Sequence, residues 1–88
     1  MFIEAMADGG VAAGLPRDKA IRYATETLIG SAELLKVSGK HPEELKDAVC
    51  SPAGSTIEGV KALENGGMRA AVINAVTDAY KRTKELGK

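Results

Sequence analysis

Eighty-eight residues allow one domain at most. Lysine plus arginine balances aspartate plus glutamate at 12 each, and no basic stripe carries interleaved aromatics, so nucleic acid is not an expected partner. The apolar runs are far too short to span a bilayer, and the opening Met1-Phe2-Ile3-Glu4 lacks the charged and apolar regions of a signal peptide.

Periodicity reads helical throughout, because no segment sustains period-two alternation between turns. The expected fold class is all-α, with about five helices. The first spans about Phe2–Ala13, with Ile3, Met6, Ala7, Gly10 and Val11 on one face. Gly14 ends it, and Leu15-Pro16 sets the corner, with Pro16 at or next to the first turn of the second helix. That helix, about Arg17–Val37, is the longest. Ile21, Ala24, Leu28, Ala32 and Leu35 form one stripe; Ala20, Thr27, Ile29 and Leu34 widen the apolar surface, so more than one side is expected to be covered. Gly39 is its expected stop.

A short third helix covers about Pro42–Val49. Pro42 suits its first turn, Glu43 and Glu44 complement the dipole, and Leu45, Ala48 and Val49 make the expected buried edge. The fourth, about Thr56–Glu64, turns Ile57, Val60 and Leu63 inward before Asn65-Gly66-Gly67 breaks it. The fifth covers about Met68–Leu86. Met68, Val72, Ala75, Val76, Ala79 and Tyr80 are expected to face a core, and Lys81, Arg82 and Lys84 suit its C-terminal end. No repeat or linker divides the chain, so residues 1–88 read as a single helical domain.

The core is the weak point. Tryptophan is absent, Phe2, Tyr23 and Tyr80 are the aromatics, and many residues in the 44% hydrophobic share are alanines. Ordering each residue costs on the order of 1.5 kcal/mol, which such small side chains barely offset. The missing burial is expected from a partner, most simply a second copy.

Catalytic groups are sparse. His41 stands alone and precedes Pro42, which suits a helix-start residue making a local hydrogen bond rather than a metal ligand. Cys50 has no local base to activate it and no second cysteine to pair with, so a structural thiol in a reducing cytoplasm is expected. Glu26, Glu33, Glu43, Glu44, Asp47 and Glu58 fall on solvated faces or first turns, and spacing pairs no two of them as acid and base. Gly9-Gly10 and Gly66-Gly67 lack the strand-to-helix context of a dinucleotide fingerprint.

Ser51-Pro52-Ala53-Gly54-Ser55-Thr56 differs in kind. Pro52 and Gly54 bend the chain, and Ser55 with Glu58 reads as a capping box that starts a helix. A helix start presents N–H groups without partners at the positive end of the dipole, and the hydroxyls of Ser51, Ser55 and Thr56 lie close by. Two readings stand at this point: an ordinary capped turn, and a cradle for a carboxylate or phosphate.

The run Pro42-Glu43-Glu44-Leu45-Lys46-Asp47-Ala48-Val49-Cys50-Ser51-Pro52-Ala53-Gly54-Ser55-Thr56-Ile57-Glu58-Gly59-Val60-Lys61-Ala62-Leu63-Glu64 resembles the signature of pyrroline-5-carboxylate reductases. Phe2-Ile3-Glu4-Ala5-Met6-Ala7-Asp8-Gly9-Gly10-Val11, Gly14-Leu15-Pro16-Arg17 and Glu64-Asn65-Gly66-Gly67-Met68-Arg69-Ala70-Ala71 match the same family, gaplessly and in order. The resemblance implies the all-helical C-terminal dimerisation domain of an enzyme that reduces Δ1-pyrroline-5-carboxylate to L-proline with NADPH or NADH. It implies interleaved helices of two subunits, in a homodimer or higher oligomer. Ser51, Gly54, Ser55 and Thr56 would hold the substrate carboxylate, through the hydroxyls of Ser51 and Thr56 and the N–H groups of Gly54, Ser55 and Thr56. Ala53 departs from the family's usual glycine and would be strained by roughly 1 kcal/mol if the position needs positive φ.

The family's N-terminal Rossmann domain has no counterpart in these residues, so no cofactor is expected on this chain, and the isolated chain is expected to be inactive. The family's helical domain usually begins several residues before Phe2, so the chain reads as a piece of a longer protein. The competing expectation is a non-enzymatic helical module used only for self-association.

Overall fold

The computed structural model describes residues 1–87, and among them there are five helices and no strand. They are α1 (Phe2–Ala12), α2 (Arg17–Ser38), α3 (Pro42–Val49), α4 (Ser55–Asn65) and α5 (Met68–Leu86). The all-α expectation holds, and every expected helix is present. The chain forms two compact units, Met1–Leu45 and the residues from Lys46 onward, with the boundary inside α3.

In the first unit α1 packs against α2. The corner between them is a Schellman motif: the Leu15 N–H donates to the Gly10 carbonyl at 2.9 Å and the Gly14 N–H to that of Val11 at 3.0 Å. Gly14 sits at φ 112°, a conformation that a side chain would strain. Beside the corner, a Cβ at Gly10 would lie 3.3 Å from both the Ala20 Cβ and the Leu15 Cδ1. The helices therefore meet through their smallest residues. Ala7, Ala20 and Ala24 are the buried hydrophobic core, at 1%, 3% and 5% exposure.

This corrects the expected stripe on α2. Ala20, which the pattern left beside the stripe, joins Ala24 as the buried face, while Ile21, Ala32 and Leu35 are exposed. Close approach selects the face with methyl groups, and the branched side chains are turned out of it. Replacing Gly10 with Val should lower stability by about 1–3 kcal/mol through overpacking. Thermal melts at matched protein concentration check this, and an unchanged Tm would contradict the close approach.

His41 starts α3 as expected. Its Nδ1 accepts the Glu43 N–H at 3.1 Å, and its carbonyl accepts the N–H groups of Glu44 and Leu45.

In the second unit α4 packs against α5 across Gly66-Gly67. Gly67 takes φ 76° and donates its N–H to the Glu64 carbonyl at 3.0 Å. Each hairpin also carries an arginine–carboxylate clasp over its turn. The Arg17 Nη1 donates to the Asp8 Oδ1 at 2.6 Å, and the Arg69 Nε to the Glu64 Oε1 at 2.9 Å. Both clasps are exposed, so each adds little stability.

The expected inward residues of the second unit are mostly outside. Ile57, Val60 and Met68 are half-buried, but Leu63, Val72, Ala75, Val76, Ala79 and Tyr80 are exposed, as are Ala48 and Val49 on α3. No residue of α3, α4 or α5 is fully buried. Periodicity marks an apolar face without saying which chain covers it.

Candidate functional site

The loop between α3 and α4 is a tight turn. The Gly54 N–H donates to the Ser51 carbonyl at 3.0 Å, with Pro52 and Ala53 at the central positions. Ala53 has φ 58°, and among the described residues it is the one non-glycine with positive φ. Proline followed by a positive-φ residue is the pattern of a type II turn, which normally places glycine where Ala53 stands. The strain foreseen for Ala53 is therefore present. Ala53→Gly should raise stability by about 0.5–1 kcal/mol, the relief of the left-handed Cβ clash less the greater freedom of glycine in the unfolded chain. Urea titration measures it, and a loss of stability would contradict the assigned strain.

The capping box is corrected. Gly54, not Ser55, is the N-cap of α4, and no side chain caps the helix. Ser55 is the first helical residue, which moves Glu58 out of the capping-box position. The pattern misled because Ser and Glu three apart look the same whether the serine precedes the helix or opens it. The first ladder bond runs from the Glu58 N–H to the Gly54 carbonyl at 3.4 Å. The N–H groups of Ser55, Thr56 and Ile57 thus precede the ladder at the positive end of the dipole.

The N–H of Gly54 is already engaged by the turn, and that of Ile57 takes the third place, which the sequence reading missed. A helix starting one residue earlier was the only signal that could have revealed it. Among the described residues, no protein group hydrogen-bonds the hydroxyls of Ser51, Ser55 or Thr56, and all three residues are exposed. The arrangement can present three N–H donors and neighbouring hydroxyls to an anion.

Little else offers chemistry. Cys50 is a half-buried free thiol. No group of His, Cys, Asp and Glu that could hold a metal occurs among the described residues. A shallow hollow on α5 is lined by Met68, Arg69, Val72 and Ile73 and includes no loop residue.

A helical domain with a core of alanines, bulky apolar residues outside and a donor-rich turn at one helix start belongs to the class of subunit-pairing modules. The chain belongs to the pyrroline-5-carboxylate reductase dimerisation family, whose model matches residues 1–86. It is 58% identical to the pyrroline-5-carboxylate reductase of Pisum sativum over 98% of this chain and 32% of that protein. Against the Synechocystis sp. enzyme the identity is 54% over 100% of this chain and 33% of that protein. A solved structure of Plasmodium falciparum pyrroline carboxylate reductase, with NADP bound, superposes with a TM-score of 0.93 at 37% identity, covering 99% of this chain and 35% of that one. The chain therefore spans about a third of the length of the curated relatives it matches.

Proposed function

We propose that this chain is the pairing and carboxylate-holding domain of an NAD(P)H-dependent reductase that converts Δ1-pyrroline-5-carboxylate to L-proline. The observation that carries the reading is the Ser51–Thr56 turn, which opens α4 with uncapped N–H groups in a chain of this family. A carboxylate there would accept from Ser55, Thr56 and Ile57 N–H groups, with the Ser51 and Thr56 hydroxyls beside it. Charge-assisted bonds of this kind are about twice as strong as neutral ones. Anchoring the carboxylate fixes where the imine carbon of the ring lies, which is an orienting role.

These residues do not fit a dinucleotide. Among the described ones there is no strand, hence no strand-to-helix phosphate turn. The nicotinamide cofactor is assigned to residues outside this chain, and the NADP-bound relative supports its identity as NAD(P)H. The outward apolar residues of α2 and α5 support a homodimer or higher oligomer. Among the described residues no helix is long and apolar enough to cross a membrane. The lone Cys50 favours the reducing cytoplasm.

Two measurements on the 88-residue chain test this. Light scattering at micromolar concentration should give a dimer or larger, and a clean monomer would overturn the pairing role. Mixed with NADPH and the pyrroline acid, the chain should show no NADPH oxidation. Oxidation dependent on the acid would overturn the division of labour.

A further inference from the structure

Asn65 and Asn74 are the asparagines of this chain, and they stand in different chemical situations. Asn74 precedes Ala75 inside α5, whereas Asn65 is the last residue of α4 and precedes Gly66. Asn65 and Gly66 are both exposed. An asparagine followed by glycine is the sequence most open to ring closure of the side chain onto the main chain, because no Cβ bars the next nitrogen from the carboxamide carbon.

The turn itself does not require glycine at position 66. Its φ of −80° is open to any residue. An added Cβ would make ordinary contact, 3.5 Å from the Ala62 carbonyl oxygen and 3.7 Å from that of Leu63. What the fold controls is the nitrogen. The Gly66 N–H donates to the Ala62 carbonyl at 3.0 Å, and the Gly67 N–H donates to the Glu64 carbonyl at 3.0 Å. While the first of these bonds holds, the Gly66 nitrogen is engaged in the helix ladder. Helix ends open at low cost, and no fully buried residue of α4 or α5 holds this one shut.

We infer that Asn65-Gly66 is a deamidation site gated by the α4–α5 turn, protected while the turn is closed and reactive when it opens. In the open turn the Gly66 nitrogen attacks the Asn65 carboxamide carbon. The new C–N bond closes a succinimide ring, and the bond to the side-chain nitrogen breaks. That nitrogen leaves as ammonia with the Gly66 proton. Water then opens the ring at either carbonyl, leaving aspartate or isoaspartate, and nothing is oxidised or reduced. Both products work against re-closure. Each sets a carboxylate beside Glu64 at the negative end of the α4 dipole. Isoaspartate also reroutes the main chain through the former side chain, which adds a carbon to the backbone and carries the Gly66 and Gly67 N–H groups off their acceptors.

The test ages the 88-residue chain in mildly alkaline buffer, folded and in urea, and follows each asparagine by mass. Trypsin places the two on separate peptides, Ala62–Arg69 and Ala70–Lys81. Asn65 should convert measurably in the folded chain while Asn74 does not, and in urea Asn65 should convert at least about tenfold faster. Gly66→Ala should melt no lower than the native chain, since alanine fits the turn and has less freedom to lose. It should convert on the order of tenfold more slowly in urea as well, because the methyl group bars the close approach. The isoaspartyl form, separated by ion exchange, should melt below the native chain at the same protein concentration.

Equal rates in the folded and unfolded chains would overturn the gate. No conversion of Asn65 in the folded chain, or conversion of Asn74 at the same rate, would overturn the site. A Gly66→Ala variant that folds and converts like the native chain would remove glycine as the determinant. A native Tm for the isoaspartyl form would show that the turn re-closes and would overturn the consequence drawn for the hairpin.

Discussion

Val76→Asp is expected to weaken self-association at least about a thousandfold, since burying an unpaired carboxylate in an apolar interface costs several kcal/mol. Val76 lies on α5 with Val72, Ile73 and Tyr80, all more than half exposed in the single chain. The second unit has no fully buried residue of its own. Fixing the backbone costs about 1–2 kcal/mol per residue, which half-buried Ile57, Val60 and Met68 do not offset by themselves. The α5 face is where the missing burial is available. Sedimentation equilibrium should show the native chain as an oligomer and the variant as a monomer or an unfolded chain. Val76→Ala, which removes area without adding charge, should fall between the two. Unchanged association of Val76→Asp would move the interface away from α5.

Thr56→Ala, in a full-length reductase carrying this domain, should raise KM for the pyrroline acid about tenfold or more and leave kcat close to native. A hydrogen bond to a charged group is worth about 1.5–3 kcal/mol, and an anchor remote from the reacting carbon stabilises ground and transition states alike. Steady-state kinetics with NADPH saturating would separate the two constants. An unchanged KM would remove Thr56 from the site. A fall in kcat at constant KM would give it a role in the chemistry instead of in holding the carboxylate.

Much of the helical layout was legible because its punctuation is explicit. Gly14, Gly39 and Gly67 all take positive φ at helix ends, and Pro16 and Pro42 stand at helix starts. His41 was legible as a local cap because a single histidine before Pro42 has few other uses. The site was legible as a segment but not in register. Ser55 could be read as N-cap because its spacing to Glu58 is right, whereas the turn through Ala53 gives that position to Gly54. Burial was the least legible property. Val72, Val76 and Tyr80 carry the correct helical period, but a period records that a face is apolar and not whose surface meets it. On α2 the choice between Ala20 and Ile21 was made by how near α1 approaches, which depends on Gly10 in a different helix.

The alanine core has a consequence for how this domain tolerates change. Cores are usually located by truncating side chains to alanine and looking for the large losses. Here Ala7, Ala20 and Ala24 are alanine already, and Gly10 is smaller still. A truncation scan would pass over the centre of the first hairpin without a signal and would report only the outer apolar residues. The informative scan runs toward larger side chains, where each added carbon pushes α1 off α2. Sequence drift in this hairpin is therefore bounded from above in size, and the forbidden substitutions are enlargements that elsewhere count as conservative.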